Sequence, residues 1–288
     1  MNVFTQTVIS GLMAGAVYAF LGIGLVLVYR TARILNLASG ETFAITGVVG
    51  ALLVKSGLPL IMALLLAVLS ALAFALSLHR FVLGTRANWP PATLILITLG
   101  AAFVVRGVLV LLVGTDPVSF PPIFSGAPLR FAGGVMPQQG LALIVLGFGV
   151  SAAVGLYLSR TRSGKQLLAA AENSFAAELV GVNVERARLT AYGIGAILGG
   201  LAGVLLIPLV AIDFQSGLAM TLRGFIAAAM SGMSPVGVLF SGVGLGLFEA
   251  MVGSYLGVLY QDPVMFFLLI VIALWQSRRI RFGGIGRA

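Results

Sequence analysis

Residues 160–188 read RTRSGKQLLAAAENSFAAELVGVNVERAR. The stretch carries Arg160, Arg162, Lys165, Arg186 and Arg188, with Glu172, Glu178 and Glu185 between them. Almost everything on either side is apolar. The chain is 60% hydrophobic and 9% charged, with a mean hydropathy of +1.13. Soluble domains carry roughly a quarter charged residues, so the chain reads as an integral membrane protein. A long charged connection has no partners for its charges in hydrocarbon. It therefore lies outside the bilayer, and its basic side chains assign it to the cytoplasmic side. Its AAAE and Leu-Val-Gly-Val core predicts a short helix, a turn and a second short helix, a shape suited to docking another protein.

On either side of this stretch, apolar runs predict spans at about 8–29, 42–54, 58–78, 92–113, 140–158, 189–211, 236–256 and 263–275. The second is extended backwards by residues 35–38, and a shorter crossing covers 217–233. The expected fold is an all-α polytopic bundle of about eight or nine crossing helices. No length is left for a sizeable soluble domain, so residues 1–288 read as a single transmembrane domain. Residues 114–139 form a loop rich in Pro and Gly. The N-terminal MNVFTQTV lacks the basic region of a cleaved signal peptide, and the first apolar run reads as a retained span.

Charge sets the expected orientation. With residues 160–188 inside and the spans alternating, thirteen of the seventeen basic residues face the cytoplasm. They are Arg30, Arg33, Arg80, Arg86, Arg160, Arg162, Lys165, Arg186, Arg188, Arg278, Arg279, Arg281 and Arg287. Lys55 and Arg130 fall outside, and Arg106 and Arg223 lie in or at the edge of spans. This predicts a periplasmic N-terminus, a cytoplasmic C-terminus and nine crossings. A re-entrant 217–233 would change that parity. The same asymmetry explains the net charge of +9 better than nucleic-acid binding does.

Chemistry is sparse. There is no cysteine, and His79 is the sole histidine, which excludes thiolate sites and a His-based metal cluster within this chain. No nucleophile–base arrangement has usable spacing, so no catalytic, cofactor or metal site is expected. Ser163-Gly-Lys-Gln166 lacks the first Gly and the Mg²⁺-binding hydroxyl of a phosphate loop, so any ATP hydrolysis belongs to another chain. Three polar features remain. Asn36-Leu-Ala-Ser-Gly-Glu41 interrupts an apolar stretch, and Asn36, Ser39 and Gly40 break or cap a helix where Glu41 begins one. A cytoplasmic capping loop is the simpler reading, and a broken helix lining a pathway is the functional one. Arg106 sits within a span at a cost of about 2.5–3.5 kcal/mol at mid-membrane, so it faces a cavity, a partner or a snorkelling route. Arg223 and Glu249 fall at similar depth and can pair, while Asp213 is expected in a solvated outer loop. Glycines four apart, at 11/15, 195/199/203 and 242/246, predict close helix packing within one subunit rather than a dimer face.

Four segments resemble the permease subunit of branched-chain amino acid ABC importers. GLMAGAVYAFLGIGLVLVYR is similar to that family's first conserved span. NLASGE stands where the family has an Asn-Phe-Ala-His-Gly-Glu-like hexad, and RTRSGKQLLAAAENSFAAELVGVNVERARLTAYGIGAILGGLAGVLL is similar to its coupling segment and following span. RGFIAAAMSGMSPVGVLFSGVGLGLFEA is similar to its late pair of spans. The resemblance implies two cytoplasmic ATPase subunits, a second and related but different permease chain, a periplasmic solute-binding protein and a bacterial inner membrane. It places the coupling helix at about 166–179, ending at Gly181, with Arg162, Lys165, Glu172, Asn173, Glu178 and Gly181 as contacts. It leaves Asn36, Ser39, Glu41, Arg106, Arg223 and Glu249 as pathway or gate residues. Ser39 replaces the family's His, Leu37 its Phe, and Ser231-Gly232-Met233-Ser234 its late Gly-rich turn. These departures bear on the solute, since relatives carry urea, short amides, dicarboxylates and aromatic acids as well as amino acids. The alternative is a stand-alone secondary transporter, for which only Glu249 and Glu41 offer coupling-ion groups and residues 160–188 have no role.

Overall fold

A computed structural model describes residues 2–86 and 89–283; Arg287 lies outside them, as do the side chains of Arg86, Arg278, Arg279 and Arg281. The described chain is a helical bundle built around α1 (Val3–Ala32). In α1, 83% of the most apolar window is buried, against 22% in α5 (Gln138–Arg160), so α1 is the central post and α5 a peripheral one. Around it stand α2 (Glu41–Lys55), α3 (Leu60–Ser77), α4 (Pro91–Val113), α8 (Val184–Leu206), α9 (Ser216–Met230), α10 (Gly237–Tyr255) and α11 (Gln261–Gly283). Two short helices, α6 (Arg162–Glu172) and α7 (Ser174–Leu179), connect α5 to α8. Among the described residues, six helices are long and apolar enough to cross a membrane: α1, α3 with its extension to Leu83, α4, α5, α8 and α10. Helices α2 and α9 have 15 residues each, about 22 Å of helix against a hydrocarbon thickness of about 30 Å.

Small residues let the post be gripped closely. A methyl group at Gly11 would lie 2.8 Å from the Leu247 Cα, and one at Gly15 would lie 2.6 Å from the Val243 Cα. From the other side, Gly242 meets Ala19, and Gly246 meets the backbone of Gly11 and Gly15. Gly24 meets Gly195 of α8 in the same way. The glycine stripes thus join helices of this one chain, where van der Waals contact replaces the hydrophobic drive missing in lipid. Gly246→Leu is expected to lose most monodisperse protein in fluorescence-detected gel filtration, since overpacking costs ~1–3 kcal/mol or more. Gly244→Leu, two residues away with no atom within 4 Å of its new Cβ, should elute like the parent. Equal profiles for the two would contradict this packing.

Three boundaries differ from expectation. Residues 35–38 do not extend the second span. Arg33 adopts a left-handed conformation (φ 57°) that ends α1, and the Ala38 N–H donates to Asn36 Oδ1 at 3.0 Å, folding 33–40 into turns. The span expected to reach 211 stops at Leu206, because Ile212 pairs with Val118 through two backbone hydrogen bonds of 2.8 and 3.0 Å. The Pro-rich loop also holds a hairpin, β1 (Leu129–Phe131) with β2 (Gly134–Met136). Ala132 and Gly133, at φ 47° and 80°, make its two-residue turn. At the opposite end, α3 runs into a π-helical turn over Leu78–Leu83. That turn brings His79 to 3.0 Å from Glu185 at the start of α8 and stacks its ring on Tyr192, with centroids 4.6 Å apart.

Candidate functional site

The interrupting hexad is a buried, self-bonded turn. Ser39 Oγ donates to the Asn36 carbonyl at 2.7 Å, and Thr42 Oγ1 donates to the Ser39 carbonyl at 2.7 Å. Leu37 N–H donates to Thr98 of α4 at 3.1 Å, and Gly40 N–H donates to Thr221 of α9 at 2.8 Å. Ile212 packs on Gly47, Gly217 on Glu41, and Thr221 on Gly40 and Leu37. Because that order is reversed, the two chain segments run antiparallel. The N-termini of the short helices α2 and α9 therefore meet inside the bundle and the helices diverge from there. Only glycine fits at this meeting, since a Cβ on Gly40 would strike Gly217 and Thr221, and one on Gly217 would strike the Glu41 carboxylate. A water-sized cavity of about 20 Å³ touches Asn36, Ser39 and Thr42.

Glu41, fully buried, stands at this junction. Its Oε1 accepts from Arg106 Nε at 3.0 Å and Nη2 at 2.9 Å. Two residues considered separately in the sequence are thus one ion pair, further compensated by the positive end of α2. Arg106 also lies 5.3 Å over the Phe103 ring. The second pair, Arg223 with Glu249, forms at 2.8 Å and extends both ways. Tyr18 of α1 donates to Glu249 Oε2 at 2.5 Å, and Arg223 Nη2 donates to Asp262 of α11 at 2.8 Å. Four helices are tied by this chain of charges. Tyr18 and Asp262 went unnoticed in the sequence, the first because it reads as one more apolar position of α1.

Arg106 and Arg223 line one cleft of about 310 Å³ between α4, α9 and α11, together with Asp213 and Asp262. Asp213 is not the freely solvated loop residue expected. It is half-buried, and its Oδ1 accepts from Ser216 Oγ at 2.7 Å and from the Gln215 N–H at 3.0 Å, which turns the chain into α9.

The charged stretch forms the other polar region. Each of its helices opens on a capping side chain. Thr161 accepts from the Gly164 N–H (3.0 Å), Asn173 from Ala176 (3.0 Å) and Asn183 from Arg186 (2.9 Å). The single helix expected over 166–179 is therefore two, broken at Asn173, whose extended φ of −151° ends α6 while its side chain starts α7. Gly181, at φ 84°, turns the chain towards α8. Arg33, at the end of α1, donates to the Ala171 and Glu172 carbonyls at 3.2 and 3.3 Å, so the C-terminus of α6 is clamped to the central post. Arg162, Lys165, Glu172, Asn173, Glu178 and Gly181 are all exposed. So are three apolar side chains that the sequence reading missed, Phe175, Leu179 and Val180, each more than 70% exposed.

Residues 7–274 match the family model described as the branched-chain amino acid transport system permease component. The chain belongs to this family. It is a multi-pass membrane permease subunit of an ATP-binding-cassette transporter, which closes the alternative of a stand-alone transporter. Two permease relatives are similar over nearly their whole length and a third over most of its length. The high-affinity branched-chain amino acid transport system permease protein LivH of Salmonella typhimurium is 27% identical, over 94% of this chain and 93% of that one. BraD of Pseudomonas aeruginosa, with the same description, is 26% identical over 96% and 95%. The autoinducer 2 import system permease protein LsrC of Enterobacter sp. is 28% identical over 89% and 70%. Among solved structures, a chain of PsaBC from Streptococcus pneumoniae in complex with Fab shares the fold at a TM-score of 0.55 and 14% identity, over 95% of this chain and 91% of that one.

Proposed function

We propose that this permease subunit works in an importer, passing a small polar solute inward in response to ATPase subunits docked on α6 and α7. The reading rests on α7. Phe175, Leu179 and Val180 form an exposed apolar knob at the tip of a polar, capped connection that is fastened to the central helix through Arg33. An apolar knob held outside lipid is a protein-docking surface. Arg162, Lys165, Glu172, Asn173, Glu178 and Gly181 would surround the contact, two ATPase subunits would serve a pair of permeases, and the second permease would be a related chain. A periplasmic binding protein would deliver the solute to the end carrying the 129–136 hairpin. The whole chain serves as one transmembrane domain in a bacterial inner membrane.

Several contacts support a cytoplasmic position for residues 160–188. The Arg33 clamp and the His79–Glu185 contact gather Arg30, Arg33, Arg80 and this stretch at one end of the bundle, as the positive-inside rule requires. Counting α2 and α9, whose short helices are completed by non-helical approach segments, as crossings gives a periplasmic N-terminus and a cytoplasmic C-terminus. Asn36, Ser39, Glu41, Arg106, Arg223 and Glu249 then act through the helix junction and its cleft, with the first two shaping the turn. The test is purification of the tagged chain from native membranes. ATPase subunits and a second permease are expected in stoichiometric amounts, with ATP hydrolysis stimulated by a periplasmic protein. Recovery of this chain alone under gentle solubilisation would overturn the reading.

A further inference from the structure

We propose that the groove between α5 and α10 holds one acyl chain of an anionic phospholipid whose phosphate pairs with Arg160; the proposal stands apart from what drives transport. Helices α5 and α10 both pack on α1 and scarcely on each other. The gap between them measures about 450 Å³, with the buried Ile23 of α1 as its floor. Leu156 on α5 and Val236 and Phe240 on α10 rim it, each more than half exposed. Among the described residues that line it, only Ser151 is polar, and it is buried.

Size and depth select a chain rather than a helix. A two-turn piece of helix, about 10–12 Å across and about 11 Å long, has about twice the groove's volume. A single hydrocarbon chain is narrower and carries no polar atom to be satisfied between apolar walls. Along α5, Ala152, Leu156 and Arg160 follow at four-residue spacing and so share one face. Ala152 and Leu156 line the groove, which places Arg160 at its head, about 12 Å along the helix from Ala152. That run fits within the ~15 Å of hydrocarbon in one leaflet.

Charge decides which lipid is held. Arg160 is exposed, and among the described residues no hydrogen bond or ion pair engages its guanidinium. Arg162 and Lys165 are exposed just beyond it, and no acidic residue stands in the sequence between Asp116 and Glu172. The stretch that supplies the opposite wall, residues 231–240, carries no charge. Clusters of Lys and Arg at a membrane surface recruit anionic lipids, and a phosphodiester meets a guanidinium fork through paired donors. A zwitterionic headgroup brings its ammonium group against the same three cations. The bound lipid braces α5 just before it passes through Thr161 into α6.

The test uses the full chain in its native membranes, with p-benzoyl-phenylalanine in place of Gly155 and mass spectrometry to identify what it captures under light. Gly155 lines the groove, and a Cβ there meets no atom within 4 Å, so the probe enters open space. Gly149, on the same helix and equally open but not lining the groove, is the reference position. Phospholipid adducts are expected at both, with an anionic-to-zwitterionic ratio at least threefold higher at 155. Arg160→Gln should bring that ratio down to the one at 149. Gly155→Leu, which fills the groove without a probe, keeps the test decisive if the probe-bearing chain fails to accumulate. Anionic phospholipid retained through detergent exchange should then fall at least threefold, and Gly149→Leu should leave it unchanged. Capture of a second permease chain at 155, equal ratios at the two positions, or retention indifferent to Arg160→Gln and Gly155→Leu would overturn the proposal.

Discussion

Arg106→Ala is expected to lower the stability and accumulation of folded protein severely, whereas the double change Glu41→Gln with Arg106→Gln recovers most of both. Alanine at 106 leaves the Glu41 carboxylate at the α2–α9 junction fully buried and without the guanidinium that donates to it. Breaking a buried pair by removing one member costs about 3–5 kcal/mol, a large fraction of a typical folding free energy. Two neutral amides can bond to each other at the same place and carry no charge to be desolvated. Arg106→Lys should fall between the two, because an ammonium cannot present two parallel donors to one carboxylate oxygen from that position. Thermal midpoints by fluorescence-detected gel filtration would rank them: wild type, then the double variant, then lysine, then alanine. An alanine variant as stable as the wild type would show that the junction does not depend on this ion pair.

Phe175→Ser with Leu179→Ser is expected to lower ATP-driven uptake by more than tenfold while leaving the permease's own melting unchanged. Both side chains are more than 70% exposed, so their loss removes little from the fold. Burying such a side chain in a partner is worth ~1.5–3 kcal/mol, and a loss of about 1.4 kcal/mol is a tenfold loss of affinity. Salt dependence separates this apolar contact from the surrounding charges, since surface ion pairs weaken as salt rises and apolar burial does not. Uptake that survives the double change, or ATPase subunits that still co-purify in full, would move the docking surface elsewhere on the 160–188 connection.

Local features of both regions were legible in the sequence. The outline of the charged stretch, short helix, turn, short helix, was legible, but the caps Thr161, Asn173 and Asn183 went unread, and with them the break at Asn173. The long spans are equally plain, since hydrocarbon thickness sets their length. Glu41 and Arg106 are a different case. They are separated by 65 positions, and which buried charges meet depends on how helices associate, which no local pattern encodes. The same holds for Tyr18 and Asp262 around Arg223 and Glu249. The break at Asn36–Glu41 was legible from Asn36, Ser39 and Gly40, and Glu41 does open α2; residues 35–38 were still added to the span because Leu35 and Leu37 are as apolar as one, and hydropathy does not distinguish a buried turn from a buried helix. The apolar knob was missed because α7 has six residues, too few to show a period.

The seam between α1 and α10 has a mechanical consequence. Where backbone meets backbone there are no rotamers to exchange, so the joint cannot yield by small repacking steps. Helices α1 and α10 must move as one beam, and the Arg33 clamp attaches α6 to the same beam. If α7 is the docking surface proposed above, a push on it would be delivered to the beam as a whole. Opening and closing would then fall where that rigid body meets neighbours not joined to it backbone to backbone, and the cleft walled by α4, α9 and α11 lies beside it. Arg223 joins the two sides. Its bond to Glu249 belongs to the beam and its bond to the exposed Asp262 belongs to the neighbour.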